Sequence, residues 1–119
     1  YVAPAQIEFG FSDNSYIEQI CVAGQSLPQP VALGVLSEQG RATDRATVQH
    51  ELQQTLQQLN PTLKSYERVQ KIVVLEEAWS VENNMLTPTM KIKRNIIEAK
   101  YGPYLEPWYE REEVIIWHS

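Results

Sequence analysis

The sequence predicts a small α+β domain, in which helices pack against a three-stranded sheet. Two apolar, β-branched runs, residues 16–23 and 31–36, flank a short turn-forming segment, and a third such run follows at 71–76. Between the second and third runs, apolar residues recur at helical spacing. At 119 residues, the chain has the length of a single domain with a modest core.

The first half of the chain contains a helix signal, a hairpin signal and a second helix signal. Pro4 suits a first helical turn, and Ile7 and Phe11 share a face four residues apart, which predicts a helix over 4–11. The runs at 16–23 and 31–36 are expected to pair as an antiparallel hairpin. Asp44 is a good N-cap for an amphipathic helix, whose end is marked by Asn60-Pro61. Its apolar stripe consists of Val48, Leu52, Leu56 and Leu59.

The second half carries the third strand, a further helix and a tail. An apolar stripe predicts a helix from Ile92 to Tyr101. The tail, residues 102–119, has an uncertain role: its apolar run at 114–117 suits either an edge strand or a surface that docks another domain. The chain starts without an initiator methionine and directly in structured-looking sequence. We therefore expect residues 1–119 to be one domain of a longer protein.

Composition excludes several functional classes. The chain is 43% hydrophobic and 21% charged, which is typical of a soluble globular domain. A net charge of -5 argues against a general nucleic-acid binder, and no apolar run is long enough to span a membrane. The single Cys21 lies in an apolar run and is interpreted as a buried, reduced, structural thiol, which fits a cytoplasmic location.

The chemistry that the residues suggest is concentrated near position 91. Four of the ten basic residues, Lys91, Lys93, Arg94 and Lys100, lie within ten positions. Such a patch on an acidic domain suits a small phosphorylated ligand or, alternatively, is a solvated helix face. Pro88 stiffens the loop that leads to Lys91. No glycine-rich phosphate loop, catalytic constellation or metal-ligand spacing accompanies it, which argues against a self-contained enzyme.

The motif around Lys91 resembles that of a known family. Residues 63–75, and above all the run Glu82-Asn83 to Leu86-Thr87-Pro88-Thr89-Met90-Lys91-Ile92-Lys93-Arg94, resemble the C-terminal domain of long-chain fatty-acid–CoA ligases, a branch of the adenylate-forming superfamily. Residues 2–8, 16–22 and 30–33 follow the same pattern, so the resemblance covers about residues 1–101. Two departures from the wider superfamily are Met90, where many members have glycine, and Asn95, where many have a second arginine.

This resemblance implies a mobile C-terminal lid. Lys91 would be the catalytic lysine of acyl-adenylate formation, and Arg94 and Lys93 would contact phosphate, although Arg94 would otherwise pair with an acid. Tyr1, Val2 and Pro4 would lie near the hinge, on the face used for thioester formation with CoA. ATP, Mg²⁺ and the long-chain fatty acid would be held mainly by an N-terminal adenylation domain of the same protein, and no metal site is expected here. The fragment alone would be inactive.

Two alternatives stay open at this point. A fatty acyl-AMP ligase that transfers its acyl group to a carrier protein would carry a similar domain. A non-enzymatic α+β interaction module, whose basic patch docks an acidic partner, is the second. Peripheral membrane association of the full-length enzyme is also left open.

Overall fold

A computed structural model describes residues 3–24 and 26–118, and its centre is a sheet of four strands in the order β1-β2-β3-β4. The strands are β1 (Ile17–Ala23), β2 (Val31–Leu36), β3 (Lys71–Leu75) and β4 (Ile115–His118). β1 pairs antiparallel with β2, whereas β2–β3 and β3–β4 are parallel. The predicted α+β class and the predicted hairpin are therefore confirmed.

The described residues also form four α-helices, of which α1, α3 and α4 pack against the sheet: α1 (Pro4–Phe9), α2 (Glu38–Ala42), α3 (Arg45–Leu59) and α4 (Arg94–Glu110). The carboxylate of Asp44 caps α3 by accepting the backbone N–H of Thr47 at 2.9 Å, as the sequence predicts. Helix α1 ends two residues earlier than expected, yet Phe11 is buried in the same cluster as Ile7. The five-residue α2 has no signal in the apolar pattern and was not predicted.

The sheet has a hydrophobic core on each face. Helices α1 and α3 bury Ile7, Leu52 and Leu56 against one face, while α4 buries Ile97, Tyr101 and Trp108 against the other. The strands alternate between these cores, because successive side chains point to opposite faces. Every residue of β2 and β3 is buried. Central strands that are buried along their whole length therefore require cover on both sides.

The predicted number of strands was too small. Residues 115–118 form a fourth strand at the edge of the sheet, with Ile115 in one core and Ile116 in the other. Of the two alternatives for the apolar run of the tail, the edge strand is the one that the structure describes. A four-residue strand after an acidic segment gives only a weak periodic signal, which is why the sequence left it ambiguous.

The last helix is also longer than predicted, since α4 continues to Glu110 through Pro103 and Pro107. A proline in a helix removes one N–H donor and leaves a carbonyl of the preceding turn unpaired. Both prolines are exposed and stand four residues apart on one side of α4. The unpaired carbonyls thus lie toward solvent, where water can replace the missing donors.

Lys71 joins the end of α4 to the sheet. It lies at the start of β3 and is only 7% exposed, and its ammonium donates to the backbone carbonyls of Arg111 and, at 2.7 Å, Glu113. These carbonyls belong to the segment between α4 and β4. Two of the three N–H donors of this buried ammonium thus have carbonyl acceptors, and they attach the segment that leads into β4 to the start of β3.

We predict that Lys71→Met lowers the free energy of unfolding by roughly 1–3 kcal/mol, because two carbonyls lose a charged donor while the volume is kept. Urea unfolding of the 119-residue chain measures this change. Lys100→Met is the matched control: Lys100 is exposed and pairs with Glu77 at the surface, so its loss is expected to change stability by less than about 1 kcal/mol. Equal effects of the two substitutions would contradict the role given to Lys71.

Candidate functional site

The loop that carries Lys91 is a tight hairpin closed by its own backbone. Leu86 and Ile92 form an antiparallel bridge at its base. Across the loop, Thr87 N–H donates to the Lys91 carbonyl at 2.7 Å, and the Lys91 N–H donates to the Thr87 hydroxyl at 3.1 Å. Met90 N–H donates to the Thr87 carbonyl at 2.8 Å, with Pro88 inside the turn. The position of the Lys91 backbone is therefore set by hydrogen bonds within the loop, two of which join Lys91 itself to Thr87.

Met90 has a left-handed backbone, with φ of 68°. A turn followed by a left-handed residue is a common way to close a three-residue hairpin loop, and glycine is the residue best suited to that position. Met90 therefore stands where many members of the superfamily have glycine, at a position whose backbone conformation is strained for a residue with a side chain. Met90 is 66% exposed, so packing against neighbouring residues does not require a methionine at this position.

The approach to this loop is attached to the sheet. The side-chain amide of Gln19, on β1, donates to the Trp79 carbonyl and accepts the Trp79 N–H, both at 2.8 Å. Asn83 then closes a turn by accepting the Ser80 N–H at 2.9 Å and donating to the Ala78 carbonyl at 2.9 Å. Trp79 is a core residue. Gln19 and Asn83 were missed as positioning groups, and only the turn-forming Asn83-Asn84 pair could have signalled them.

The basic patch divides into residues with partners and one without. Arg94 pairs with Glu8, Lys100 pairs with Glu77, and the Lys93 ammonium donates to the Asn84 side chain at 2.5 Å. Lys91 is exposed, and within residues 3–24 and 26–118 its ammonium has neither an acidic partner nor a hydrogen bond. Of the four basic groups, the Lys91 ammonium is thus the one without a partner among the described residues, and Arg94 and Lys100 are the two paired with acids.

Arg94 lies in a polar cluster between α1, β1 and α4. Its guanidinium contacts both carboxylate oxygens of Glu8 and donates to the Val22 carbonyl at 3.0 Å. The hydrogen bonds to Glu8 raise the pKa of Arg94. Pairing with an acid, the alternative given for Arg94, is what the structure describes; contacts of Arg94 and Lys93 with phosphate stay predictions.

Two further titratable groups border this cluster. Burial raises the pKa of the Cys21 thiol to about 12, with Arg94 opposing the shift, so the expected buried, unreactive thiol agrees with the structure. Burial likewise raises the pKa of Glu98, and one of its carboxylate oxygens is buried without a hydrogen-bond partner among the described residues.

The residues predicted to lie near a hinge are only partly described. Pro4 is half-buried at the first position of α1, while Tyr1 and Val2 lie outside the described residues. Across residues 3–24 and 26–118, no three His, Cys, Asp or Glu side chains are grouped closely enough to hold a metal ion. None of the helices in these ranges is long and apolar enough to cross a membrane.

Comparison with known proteins identifies the family. The family model described as the AMP-binding enzyme C-terminal domain matches residues 1–113. The chain belongs to this family. The match includes the Lys91 loop, the Glu8–Arg94 pair and most of the tail, and it confirms the resemblance drawn from the sequence motifs at the level of the family.

Curated relatives show which proteins carry similar domains. The chain is 31% identical to long-chain-fatty-acid–CoA ligase 5 of Rattus norvegicus, over 95% of this chain and 19% of that protein. It is 29% identical to long-chain-fatty-acid–acyl-carrier-protein ligase AEE15 of Arabidopsis thaliana, over 91% of this chain and 15% of that protein. It is 28% identical to carboxylic acid reductase of Mycobacterium marinum, over 92% of this chain and 10% of that protein. This AMP-binding C-terminal domain thus spans a fifth or less of these relatives.

A solved structure of similar fold is the A-PCP didomain of carboxylic acid reductase from Segniliparus rugosus in complex with AMP. It matches with a TM-score of 0.73 and 25% identity, over 88% of this chain and 15% of that chain. The adenylation domain of a carboxylate reductase from Mycobacterium chelonae matches with a TM-score of 0.69 and 23% identity, over 90% of this chain and 18% of that chain. The small sheet with helices on both faces is therefore the fold of adenylation-enzyme C-terminal regions.

We predict that Met90→Gly is neutral or stabilising by up to about 1 kcal/mol, because relief of the left-handed strain opposes the greater freedom of glycine in the unfolded chain. Met90→Val should destabilise by roughly 1–2 kcal/mol, because a β-branched residue fits a positive φ poorly. Urea unfolding compares the two variants at the same position. A glycine variant less stable than the valine variant would contradict the left-handed geometry of the loop.

Glu98 predicts a pH dependence of stability. Burial raises the folded pKa of Glu98 above that of a solvent-exposed glutamate, so the folded state favours the protonated form and stability is lost as pH rises through the folded pKa. Glu98→Gln should therefore raise the free energy of unfolding at pH 7, and the gain should vanish near pH 4. Urea unfolding at both pH values tests this, with Glu82→Gln, on an exposed loop, as control. A gain at pH 4 as large as that at pH 7 would exclude a charge effect.

Proposed function

We propose that this domain is the mobile C-terminal lid of an AMP-forming long-chain fatty-acid–CoA ligase, in which Lys91 acts in acyl-adenylate formation. The observation that carries the proposal is that Lys91 is exposed at the end of a closed hairpin loop, without an acidic partner among the described residues, while its basic neighbours have partners. Similarity to long-chain-fatty-acid–CoA ligase 5 supports the acyl and CoA chemistry.

In this proposal Lys91 enters the active site of an N-terminal adenylation domain. The fatty-acid carboxylate attacks the α-phosphorus of ATP, the bond to the β-phosphate oxygen breaks, and acyl-AMP and pyrophosphate form. The Lys91 ammonium contacts the carboxylate and phosphate oxygens, where a cation already in place stabilises developing charge without reorganising water. Mg²⁺ would be held by the N-terminal adenylation domain, where it would neutralise phosphate charge.

The second half-reaction uses another face of the domain. The CoA thiol attacks the acyl carbonyl carbon of the adenylate. The bond between that carbon and the AMP phosphate oxygen breaks, and acyl-CoA and AMP leave. The lid would rotate between the two steps, withdrawing Lys91 and presenting the face near α1 and Pro4. Tyr1 and Val2 belong to this proposal through their sequence position alone. A cytoplasmic enzyme, with or without peripheral membrane association, is part of the same proposal and rests on composition.

A specific observation favours a second acceptor. The relatives include an acyl-carrier-protein ligase and a carboxylic acid reductase, so the acyl group of the adenylate could pass to a carrier protein rather than to CoA. The interaction module is less well supported, because Arg94 and Lys100 are already neutralised by acids of this domain. Acyl transfer to CoA and to a phosphopantetheinylated carrier protein, measured side by side, separates the first two.

We predict that Lys91→Ala in the full-length enzyme lowers the rate of pyrophosphate release by about 10²–10³, the usual effect of losing one contact to developing charge. The rate is measured with ATP and a long-chain fatty acid. Consumption of preformed acyl-adenylate by CoA should change much less, because Lys91 is then withdrawn.

Lys100→Ala is the matched control, since Lys100 is an exposed lysine of the same patch with an acidic partner. Its rate of pyrophosphate release should stay near that of the unsubstituted enzyme. Unchanged release in Lys91→Ala, with the protein folded, would refute the catalytic role of Lys91.

A further inference from the structure

Arg94 and Glu8 join three segments that are distant in sequence. Arg94 Nη2 lies 3.0 Å from Glu8 Oε1, and Nη1 contacts Glu8 Oε2. The same Nη1 donates to the Val22 carbonyl at 3.0 Å, while Val22 N–H donates to Glu8 Oε2 at 2.7 Å. The first turn of α4, the end of β1 and the last turn of α1 are thereby connected by one closed set of hydrogen bonds.

This pair differs from the surface ion pairs of the domain. The side chains of Arg94 and Glu8 are 28% and 12% exposed, whereas those of Lys100 and Glu77 are 43% and 50% exposed. Bidentate contact between a guanidinium and a carboxylate also sets the orientation of both groups, which a lysine ammonium cannot do. The Glu8–Arg94 pair is therefore suited to holding two elements at a set distance and angle.

The position of the pair in the chain gives it a mechanical consequence. Arg94 follows Lys91 by three residues, and Lys93 N–H donates to the Met85 carbonyl at 2.8 Å, so the base of the Lys91 loop and the start of α4 form one unit. Glu8 lies in α1, the first element after the residues predicted to be near the hinge. The ion pair thus links the segment by which the chain enters the domain to the segment that carries Lys91.

We propose that Glu8 and Arg94 are positioning residues, which keep the Lys91 loop at a set place relative to the N-terminal segment so that the two move as one body. This inference rests on the proposed function of Lys91 and gives Arg94 a role other than phosphate binding. Its Nη1 hydrogens are directed to Glu8 and Val22, both within this domain. A misplacement of a catalytic group by about 1 Å can lower a rate by about 10²-fold.

Removing the charge of Glu8 distinguishes the two roles of Arg94. If Arg94 bound phosphate, Glu8→Gln would free its guanidinium and would keep or improve ATP use. If Arg94 positions Lys91 through Glu8, the same substitution should lower kcat for pyrophosphate release. The KM for ATP should then stay within about threefold, because the nucleotide is held by the other domain.

The test uses the full-length enzyme with Glu8→Gln, Arg94→Lys and the double variant. Each single substitution should lower kcat for pyrophosphate release by about 10- to 100-fold, and the double variant should lose little more, because the two residues act as a unit. Arg94→Lys keeps the charge but loses the bidentate contact. Glu77→Gln is the matched control: the same change in an exposed pair that also involves α4 should leave kcat unchanged.

The outcomes separate this inference from the proposed function. An unchanged kcat, or a lower KM for ATP, in Glu8→Gln would overturn the positioning role if Lys91→Ala still loses activity in the same assay. Loss in neither variant would instead refute the role of Lys91. Should Glu8→Gln fail to fold, Glu8→Asp keeps the charge and shortens the reach, and its unchanged kcat would overturn the proposal equally.

Discussion

The burial of β2 and β3 on both faces is the constraint on which the rest of the structure depends. All residues of these strands are buried, so helices must cover the sheet from two sides. The connection from β2 to β3 supplies α3 for one face, and the connection from β3 to β4 supplies α4 for the other. Because β4 is parallel to β3, the chain after α4 must come back to the end of the sheet where β3 begins, and there Lys71 donates to the carbonyls of Arg111 and Glu113. Residues 76–93 join β3 to α4, and the Lys91 loop is the last turn of this segment.

The same constraint produces an unusual topology. Both parallel connections step one strand in the same direction across the sheet but cover opposite faces, so they have opposite hands. Right-handed connections account for about 98% of such units, because a twisted strand feeds directly into the helix. Here the second helix does not follow its strand directly. Residues 76–93 come between them, and this segment has its own contacts: the Gln19–Trp79 bonds, the Ser80–Asn83 turn and the Leu86–Ile92 bridge.

Local signals predicted the elements that local forces determine. The capping residue Asp44 and the apolar stripe predicted α3, and the two β-branched runs predicted the hairpin of β1 and β2. The fourth strand and the second half of α4 were missed, because their stability comes from tertiary contacts: Ile115 and Ile116 each enter a core formed elsewhere, and Pro103 and Pro107 are tolerated because they face solvent. In the site, Pro88 indicated a stiff loop before Lys91, but nothing local links Arg94 to Glu8 or Gln19 to Trp79. Such pairs arise only when the sheet brings distant segments together.

Charge near the site is distributed in a way that composition could not show. Four basic residues within ten positions suggest a broad positive surface. In the structure, Glu8 and Glu77 neutralise Arg94 and Lys100, while the Lys93 ammonium has the neutral Asn84 as its partner and keeps its full charge. The net positive charge is thus concentrated at Lys91 and Lys93, beside a loop whose backbone is closed by hydrogen bonds. A surface that bound polyanions would gain from leaving all four cations free. Pairing Arg94 and Lys100 within the domain instead joins their segments to those of Glu8 and Glu77.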